Sequence, residues 1–584
     1  MNPGPLNSGP LNSGPLNSGP ENHRPGADEL YFLPLGGTGE IGMNLNLYGH
    51  DGHWLMVDLG VTFAGPGSPG IDVLMADPAF IEARRDDLAG LVLTHAHEDH
   101  IGAVGHLWSR LRCPIYATAF TAEMVYPKLV EAGLENEIEI IEVPLSGRFT
   151  VGPFEIELIT LTHSIPEPNA LVIRTAAGAV LHTGDWKLDP EPLVGDRYDE
   201  NALRALADEN LLAMVCDSTN ALVEGESGSE AGVKAALMEL LGGLNNRVLV
   251  ACFASNVARL DTIGKVAAAH GRRVGLAGRS MARVLQAARN SGYLQDFPPI
   301  VAPDDLAYLP PEEVLVICTG SQGEPRAALS RIANGEHRDI SLDPGDTVIF
   351  SSRVIPGNET TIHRLHNKLI GLGVEIVTAD DTFVHVSGHP AREELRQMYQ
   401  WVRPQIAIPV HGEARHLAAH AELARDCQVP QQILAENGTL IRLAPGSAGI
   451  VDHVPNGRLA VDGRRLLPLD SPVLRTRQKM TFNGSAAVTL VIGADGLFQG
   501  APIVTSQGLL DPEAEGDKLA LVAEGVEDAL RRLPKIGRRD DALVKETARV
   551  AVRRIFNRML GKKPVTDVHL VRLGYDAEPL EDGE

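Results

Sequence analysis

The segment Thr94-His95-Ala96-His97-Glu98-Asp99-His100 lies between the apolar run Leu91-Val92-Leu93 and the apolar periodicity that resumes at Ile101. Such a run, broken by a polar cluster and continued with helical spacing, reads as a strand, a turn and a helix. Loops at the carboxyl ends of strands are where α/β proteins place their chemistry. His95 and His97 are two positions apart, so an extended backbone aims both at one point. Asp99 and His100 are adjacent and face elsewhere, which suits a second ion beside the first. Imidazole and carboxylate donors suit Zn²⁺ or Mn²⁺. A solvated loop accommodates one surface histidine. It does not account for four donors within six positions framed by apolar segments. His95, His97, Asp99 and His100 are therefore read as metal ligands.

Four residues cannot hold two ions, so further donors must come from elsewhere in the chain. Three other apolar runs end in a donor at a turn: Leu-Ile-Thr-Leu-Thr before His163, Val-Leu-His-Thr-Gly before Asp185, and Ile-Ala-Ile-Pro-Val before His411. Taken singly, each is as well explained by a cap or a core polar group. As a set they supply what the first cluster lacks.

The surrounding pattern is that of an α/β protein. Strands are expected at 31–35, 91–93, 154–161, 170–174 and 180–182. Helices at 231–241 and 257–270 then alternate with strands at 247–251, 313–318 and 347–351. With 584 residues the chain is too long for one core, and two to four domains are expected. Residues 1–28, with the repeated Gly-Pro-Leu-Asn-Ser unit, are read as a disordered tail, and 455–480, rich in Pro and Gly, as a linker. The last hundred residues show a strand pattern at 487–493 and helical patterns at 518–530 and 541–560.

Gly37, Gly39 and Gly42 match the dinucleotide-binding spacing, but the next residues alternate as a β-hairpin where that fingerprint needs a helix to hold the pyrophosphate. A nucleotide-cofactor reading is set aside on that ground. A formal net charge of −24 argues against broad electrostatic attraction of nucleic acid, while leaving room for a local basic channel. The last helical pattern, with Lys545, Arg549, Arg553, Arg554, Arg558, Lys562 and Lys563, is read as a solvated face, with RNA or subunit contact as the alternative. Cys113, Cys216, Cys252, Cys318 and Cys427 are scattered, which favours a reducing cytoplasm. No stretch is long and apolar enough to span a membrane.

The ligand strings, with Cys-Asp-Ser-Thr-Asn-Ala at 216–221, Phe-Ala-Ser-Asn-Val-Ala-Arg-Leu at 253–260, Ser-Ser-Arg-Val-Ile-Pro-Gly-Asn-Glu at 351–359 and His-Val-Ser-Gly-His-Pro at 385–390, resemble the metallo-β-lactamase superfamily. Within it they resemble the β-CASP branch, and with Leu-Gly-Gly-Thr-Gly-Glu-Ile-Gly-Met-Asn at 35–44 the bacterial ribonuclease J family. The resemblance runs from about residue 30 to 443 and more loosely beyond.

It implies an αββα metallo-β-lactamase fold over 29–225 and 391–454, interrupted by a β-CASP α/β domain at 226–390. After the linker, a small α/β C-terminal domain at 481–584 would support a homodimer or homotetramer. It implies one metal site of His95, His97 and His163 and a second of Asp99, His100 and His411, with Asp185 bridging. Asp58 would orient the histidine loop. Two divalent ions, Zn²⁺ or Mn²⁺, would activate a hydroxide for in-line attack on a phosphodiester. Asp99 or Asp185 would take the water's proton. His389 would donate to the leaving oxygen or stabilise charge. The activity implied is 5′-to-3′ exonuclease action preferring 5′-monophosphate ends, with endonuclease activity, in RNA processing and decay. A histidine at 411 favours RNA over DNA. Asp217, Ser218, Phe253, Ser255, Asn256, Arg259, Ser387, Gly388 and His389 are expected to form the pocket for the 5′ nucleotide. The rival readings are a lactonase-like hydrolase, a DNA nuclease of the same branch and a non-catalytic RNA scaffold.

Overall fold

The computed structural model describes residues 23–574, apart from 66, 494–495 and 512. The chain divides into two compact units. One holds Met1–Thr62 and Met75–Gly457, the other Phe63–Leu74 and Arg458–Glu584.

The first unit is built on two large sheets. The first has the order Gly449–His453, Thr439–Ala444, Leu30–Gly36, Leu45–His50, His53–Val57, Leu88–Val92, Ile115–Ala117 and Ile140–Glu142. Its strands alternate two apolar faces. Leu33, Leu47, Met56 and Leu91 sit in one register row across four strands, and all are fully buried. Phe32, Tyr48, Leu55 and Val57 point the other way, into a core shared with Ile156, Leu171, Ile173, Val215 and Ile408. Those belong to the second sheet, with the order Arg148–Val151, Phe154–Thr160, Asn169–Thr175, Gly178–His182, Ala213–Asp217, Ile406–Val410 and Gln431–Gln432. Helices Glu200–Ala205, Arg392–Val402 and Ala414–Asp426 cover its outer face through Leu203, Met398, Trp401 and Leu423. This is the helix-covered sandwich expected from the sequence.

Ala213–Asp217 and Ile406–Val410 are parallel neighbours, Asp217 opposite Val410. Parallel neighbours require a crossover. Here the crossover carries an inserted α/β body. Its six strands pair wholly in parallel, in the order Ile300–Val301, Arg273–Ala277, Val314–Cys318, Val248–Ala251, Thr347–Phe350 and Glu375–Val377. Near-continuous apolar strands such as Val314–Cys318, buried at every position, are what a parallel sheet covered on both faces demands. Its helices are capped as their sequences dictate: Ser229 accepts from Ala231 N, and Asn256 from Arg259 N.

Two expectations are corrected. The tail read as 1–28 lies, for 1–22, outside the described residues. Residues 23–28 are part of the fold: Pro25 O accepts from Gly52 N at 2.7 Å, and Gly26 N donates to Glu29 at 2.9 Å. The segment 455–480 is not a structureless linker. Arg458–Asp462 pairs with Arg465–Pro468 around Gly463, and Pro472–Asn483 is a helix capped by Ser471. Gly463 makes a hairpin turn and Pro472 opens a helix, positions that favour them inside structure. In the second unit, Ser485–Gly493 lies between Ile503–Gln507 and Val565–Leu573. Helices Asp517–Arg531 and Asp541–Leu560 bury Val522, Val526, Val544 and Phe556 with Val488 and Leu490 of that sheet.

Candidate metal centre

The donors collect because their strands end at one edge of the sandwich. Asp58 follows His53–Val57, the histidine loop follows Leu88–Val92, and His163 follows Phe154–Thr160. Asp185 follows Gly178–His182, Asp217 ends Ala213–Asp217, and His411 follows Ile406–Val410. His97 is still extended and acts as the N-cap residue of the short helix Glu98–Ile101. The HxH pair is therefore strand-like and the DH pair helical, so the two pairs aim differently.

His97 Nδ1 lies 3.1 Å from His95 Nε2 and 3.0 Å from His163 Nε2. The far side of His163 is committed, because Nδ1–H donates to Gly388 O at 2.5 Å. The far side of His95 meets Thr94 Oγ1 at 3.0 Å, a hydroxyl that donates to Asp58. Both Nε2 atoms thus present lone pairs toward His97. One proton cannot satisfy three converging ring nitrogens, whereas a cation can, so this donor set fits a metal. On the other side His100 donates from Nδ1 to Asp58 at 2.7 Å and turns Nε2 to Asp185 Oδ2 at 3.2 Å. His411 Nε2 is 3.0 Å from Asp99 Oδ2, and its Nδ1 is 3.2 Å from Asp185 Oδ1. Three groups that share Asp185 each keep their donor atoms within 4.8 Å of one another: His95-His97-His163-Asp185 and Asp99-His100-Asp185-His411, which match the two expected sites, and Asp185-Asp217-His389-His411.

Protonation follows position. Burial, then the neighbouring imidazoles, hold His95 and His163 well below the ordinary histidine value. Burial also lowers His97, to about 4. These rings are neutral at pH 7, as metal ligands must be. Burial opposes charge at Asp185 too, but His411 and His100 prevail and lower it to about 2. Burial would likewise lower His100 and His411, yet Asp185 and the other carboxylates raise both. A field that favours a positive ring at this half of the centre also favours a positive ion.

The glycine-rich run at 36–44 clamps this loop. Asn44 donates from N and from Nδ2 to Asp99 O, both at 3.0 Å, and Nδ2 also meets His100 Nε2 at 3.1 Å. His411, at φ 52°, donates its N–H to Gly37 O at 2.6 Å, and Thr38–Gly39 pairs with Gly412–Glu413. Gly60 is required outright, since a Cβ there would lie 1.6 Å from Asp99 O. Asp58 adopts φ 63°, strain of the kind kept at functional sites, and its carboxylate accepts from Thr94 N at 2.8 Å.

The expected nucleotide pocket is brought together only in part. His389 stands beside the centre, with its ring 5.1 Å from that of His163 and 5.6 Å from that of His411. Its Nδ1 meets Asp217 Oδ2 at 2.8 Å. Burial alone would lower His389, but Asp217 and Asp185 raise it above the ordinary value. Ser387 Oγ accepts from His389 N, and Gly388 O receives His163. Phe253 and Ser255 are half-buried. Three residues have side-chain atoms committed within the fold. Ser218 is wholly buried and bonds His420 Nδ1 at 2.8 Å. Asn256 spends its side-chain oxygen on the cap. Arg259 is 0% exposed, and its guanidinium is consumed by Glu230, Ser351 and Val384 O. A buried charge must be paired, and Glu230 pairs this one. Asp217, expected in the same pocket, lies against the metal centre itself. It is the carboxylate behind His389 and, at 3.4 Å, His411. The signal was an acid ending the apolar strand Ala213–Asp217, the same signal that pointed to Asp185.

Comparison with known proteins matches four stretches of the chain. Residues 42–214 match the metallo-beta-lactamase superfamily, and 245–369 the ribonuclease J beta-CASP domain. Residues 373–432 match the Zn-dependent metallo-hydrolase RNA specificity domain, and 472–573 the ribonuclease J C-terminal domain. The chain is 46% identical over 551 residues to ribonuclease J of Sinorhizobium meliloti, spanning 94% of this chain and 98% of that protein. It is 41% identical to ribonuclease J of Mycolicibacterium smegmatis, over 88% of this chain and 94% of that one. With ribonuclease J of Corynebacterium glutamicum the identity is 38%, over 89% and 74%.

Proposed function

Because the chain belongs to the ribonuclease J family, we propose that it degrades RNA from the 5′ end, prefers 5′-monophosphate ends, and also cuts internally. It is a metal-dependent ribonuclease. The observation that carries the finer reading is the pair of donor groups sharing Asp185, with His389 held against them by Asp217.

His95, His97 and His163 would hold one divalent ion and Asp99, His100 and His411 the other, with Asp185 common to both. Zn²⁺ suits the imidazole-rich half and Mn²⁺ is the alternative. When bound, such a pair lowers the pKa of water and offsets charge on the phosphate oxygens. The chain's own residues do the rest. Asp58 and Asn44 fix the orientation of His100, and Thr219 Oγ1 meets His411 Nδ1 at 3.0 Å. Asp217 keeps a proton on His389 Nδ1, leaving Nε2 to donate to the departing 3′ oxygen. The product is a 5′-phosphorylated fragment. Ser387 and Gly388, on the same turn as His389, would receive the 5′ end. Phe253 and Ser255 complete that pocket from the inserted domain, taken as 226–390 between 29–225 and 391–454. The C-terminal domain, 481–584, supports a homodimer or homotetramer, and the protein acts in the cytoplasm.

End-labelled RNA decides polarity. Release of labelled mononucleotide, faster from 5′-monophosphate than from 5′-triphosphate ends, is expected. Equal rates from the two kinds of 5′ end overturn the preference, and labelled oligonucleotides with no labelled mononucleotide overturn the exonuclease reading.

A further inference from the structure

With Arg259 neutralised inside the inserted domain, a different arginine is linked through Asn220 to the turn that carries His389. Arg353 lies on the segment 351–359 that follows the strand Thr347–Phe350, and it is exposed. Its backbone is pinned: Gln322 Nε2 donates to Arg353 O at 2.8 Å, and Gln322 Oε1 accepts from Ile355 N at 2.9 Å. Its side chain is directed as well, because Nη1 donates to Asn220 Oδ1 at 2.9 Å.

Asn220 is 3% exposed. Its Nδ2 donates to Ser387 Oγ at 2.8 Å and to His389 O at 3.1 Å. An amide has one acceptor and one donor end, so these partners admit a single orientation, with oxygen toward Arg353 and nitrogen toward the 387–389 turn. One buried amide therefore ties the guanidinium to the turn that carries His389. Among the described residues no carboxylate pairs with Arg353. Holding a long side chain still has an entropic cost. Only one of its nitrogens is engaged, which leaves Nε and Nη2, the edge that grips two phosphate oxygens at once.

We propose that Arg353 binds an RNA phosphate next to the scissile bond, and that Asn220 is a positioning residue keeping Arg353 and His389 in register. This rests on the ribonuclease reading above.

The test uses full-length, metal-loaded protein, a phosphorothioate-substituted single-stranded RNA for binding over a salt series, and ordinary RNA for kinetics. Arg353→Gln is expected to bind about tenfold more weakly, with a log–log salt slope shallower by about 0.7 and unchanged metal content. Arg353→Lys recovers the slope but only part of the affinity, since an ammonium lacks the fork. Asn220→Asp neutralises Arg353 and turns a carboxylate toward His389 O. It flattens the salt slope although Arg353 is still present, and it lowers kcat more than Arg353→Gln does. Wild-type affinity and slope in Arg353→Gln, with normal binding by wild type, overturn the Arg353 assignment alone. An unchanged kcat in Asn220→Asp overturns the positioning role. Failure of the wild type itself to bind RNA overturns the ribonuclease reading and this assignment with it.

Discussion

Asp217 serves two imidazoles at once, His389 at 2.8 Å and His411 at 3.4 Å, and this double duty makes it more exacting than an ordinary buried acid. Asp217→Asn keeps the shape but gives up the charge that holds His389 protonated. The expected result is a fall in kcat of about 100-fold, as for loss of a general acid, with metal content nearly intact. An unchanged kcat contradicts the proton-donor role. Two other buried histidines make stability sensitive to acid. His182 meets Tyr48 Oη at 3.0 Å, and His420 sits between Ser218 and Tyr399. Burial lowers each to about 4. Below the unfolded value near 6.5 the unfolded chain binds protons that these folded rings refuse, so stability falls as the pH drops from about 6.5 toward 4. Each contributes about 2 kcal/mol of loss between pH 7 and 5. Denaturant midpoints at the two pH values check this: His420→Gln shows a smaller drop than wild type, and an equal drop contradicts it. Legibility at this level depended on what sequence neighbours can report. The 95–100 cluster announced itself because its donors are adjacent. Arg259 did not, because its partner Glu230 comes from another helix and nothing in either string shows that both are buried.

Between elements, the informative contacts are those where one backbone rests on another. Gly60 lies against Asp99 and Gly37 against the turn of His411. Gly60→Ala is expected to displace the DH half of the loop and cost the second ion, read as a fall in metal per chain with the fold kept by circular dichroism. Full metal content in that variant contradicts the clamp. The sequence pattern correctly refused a dinucleotide reading for Gly37, Gly39 and Gly42, since a hairpin follows them. It did not reveal that Gly37 and Gly39 brace a turn more than 370 positions away, because spacing carries no information about long-range approach. Inside the inserted domain, Arg259 joins the helix Val257–Ala269 to Glu230–Gly242 and to Ser351. Arg259→Ala leaves Glu230 buried and unpaired, which costs about 3–5 kcal/mol, measured as loss of stability with little change in RNA affinity of the folded fraction. Weakened affinity at unchanged stability contradicts the structural role. The segment 455–480 was misread for a related reason: Gly and Pro mark turns, and turns belong to hairpins and helix starts as readily as to linkers.

For the molecule as a whole, the chain leaves the sandwich after Asp217 and returns through Arg392–Val402 to Ile406–Val410. The inserted domain thus hangs between two adjacent strands that both end in residues of the centre. That topology lets residues from 385–390 reach a site whose other members come from the sandwich, and it explains why the ligands are scattered over more than three hundred positions yet meet. The alternation of strand and helix patterns made the two architectures legible, while the meeting of His389 with Asp217 required the fold. The most direct check of the central claim is metal analysis coupled to cleavage of end-labelled RNA, before and after chelation. Two divalent ions per chain, activity lost on chelation and restored by Zn²⁺ or Mn²⁺, and loss of both ions in Asp185→Asn are predicted. Continued cleavage by protein stripped of all detectable metal contradicts the account.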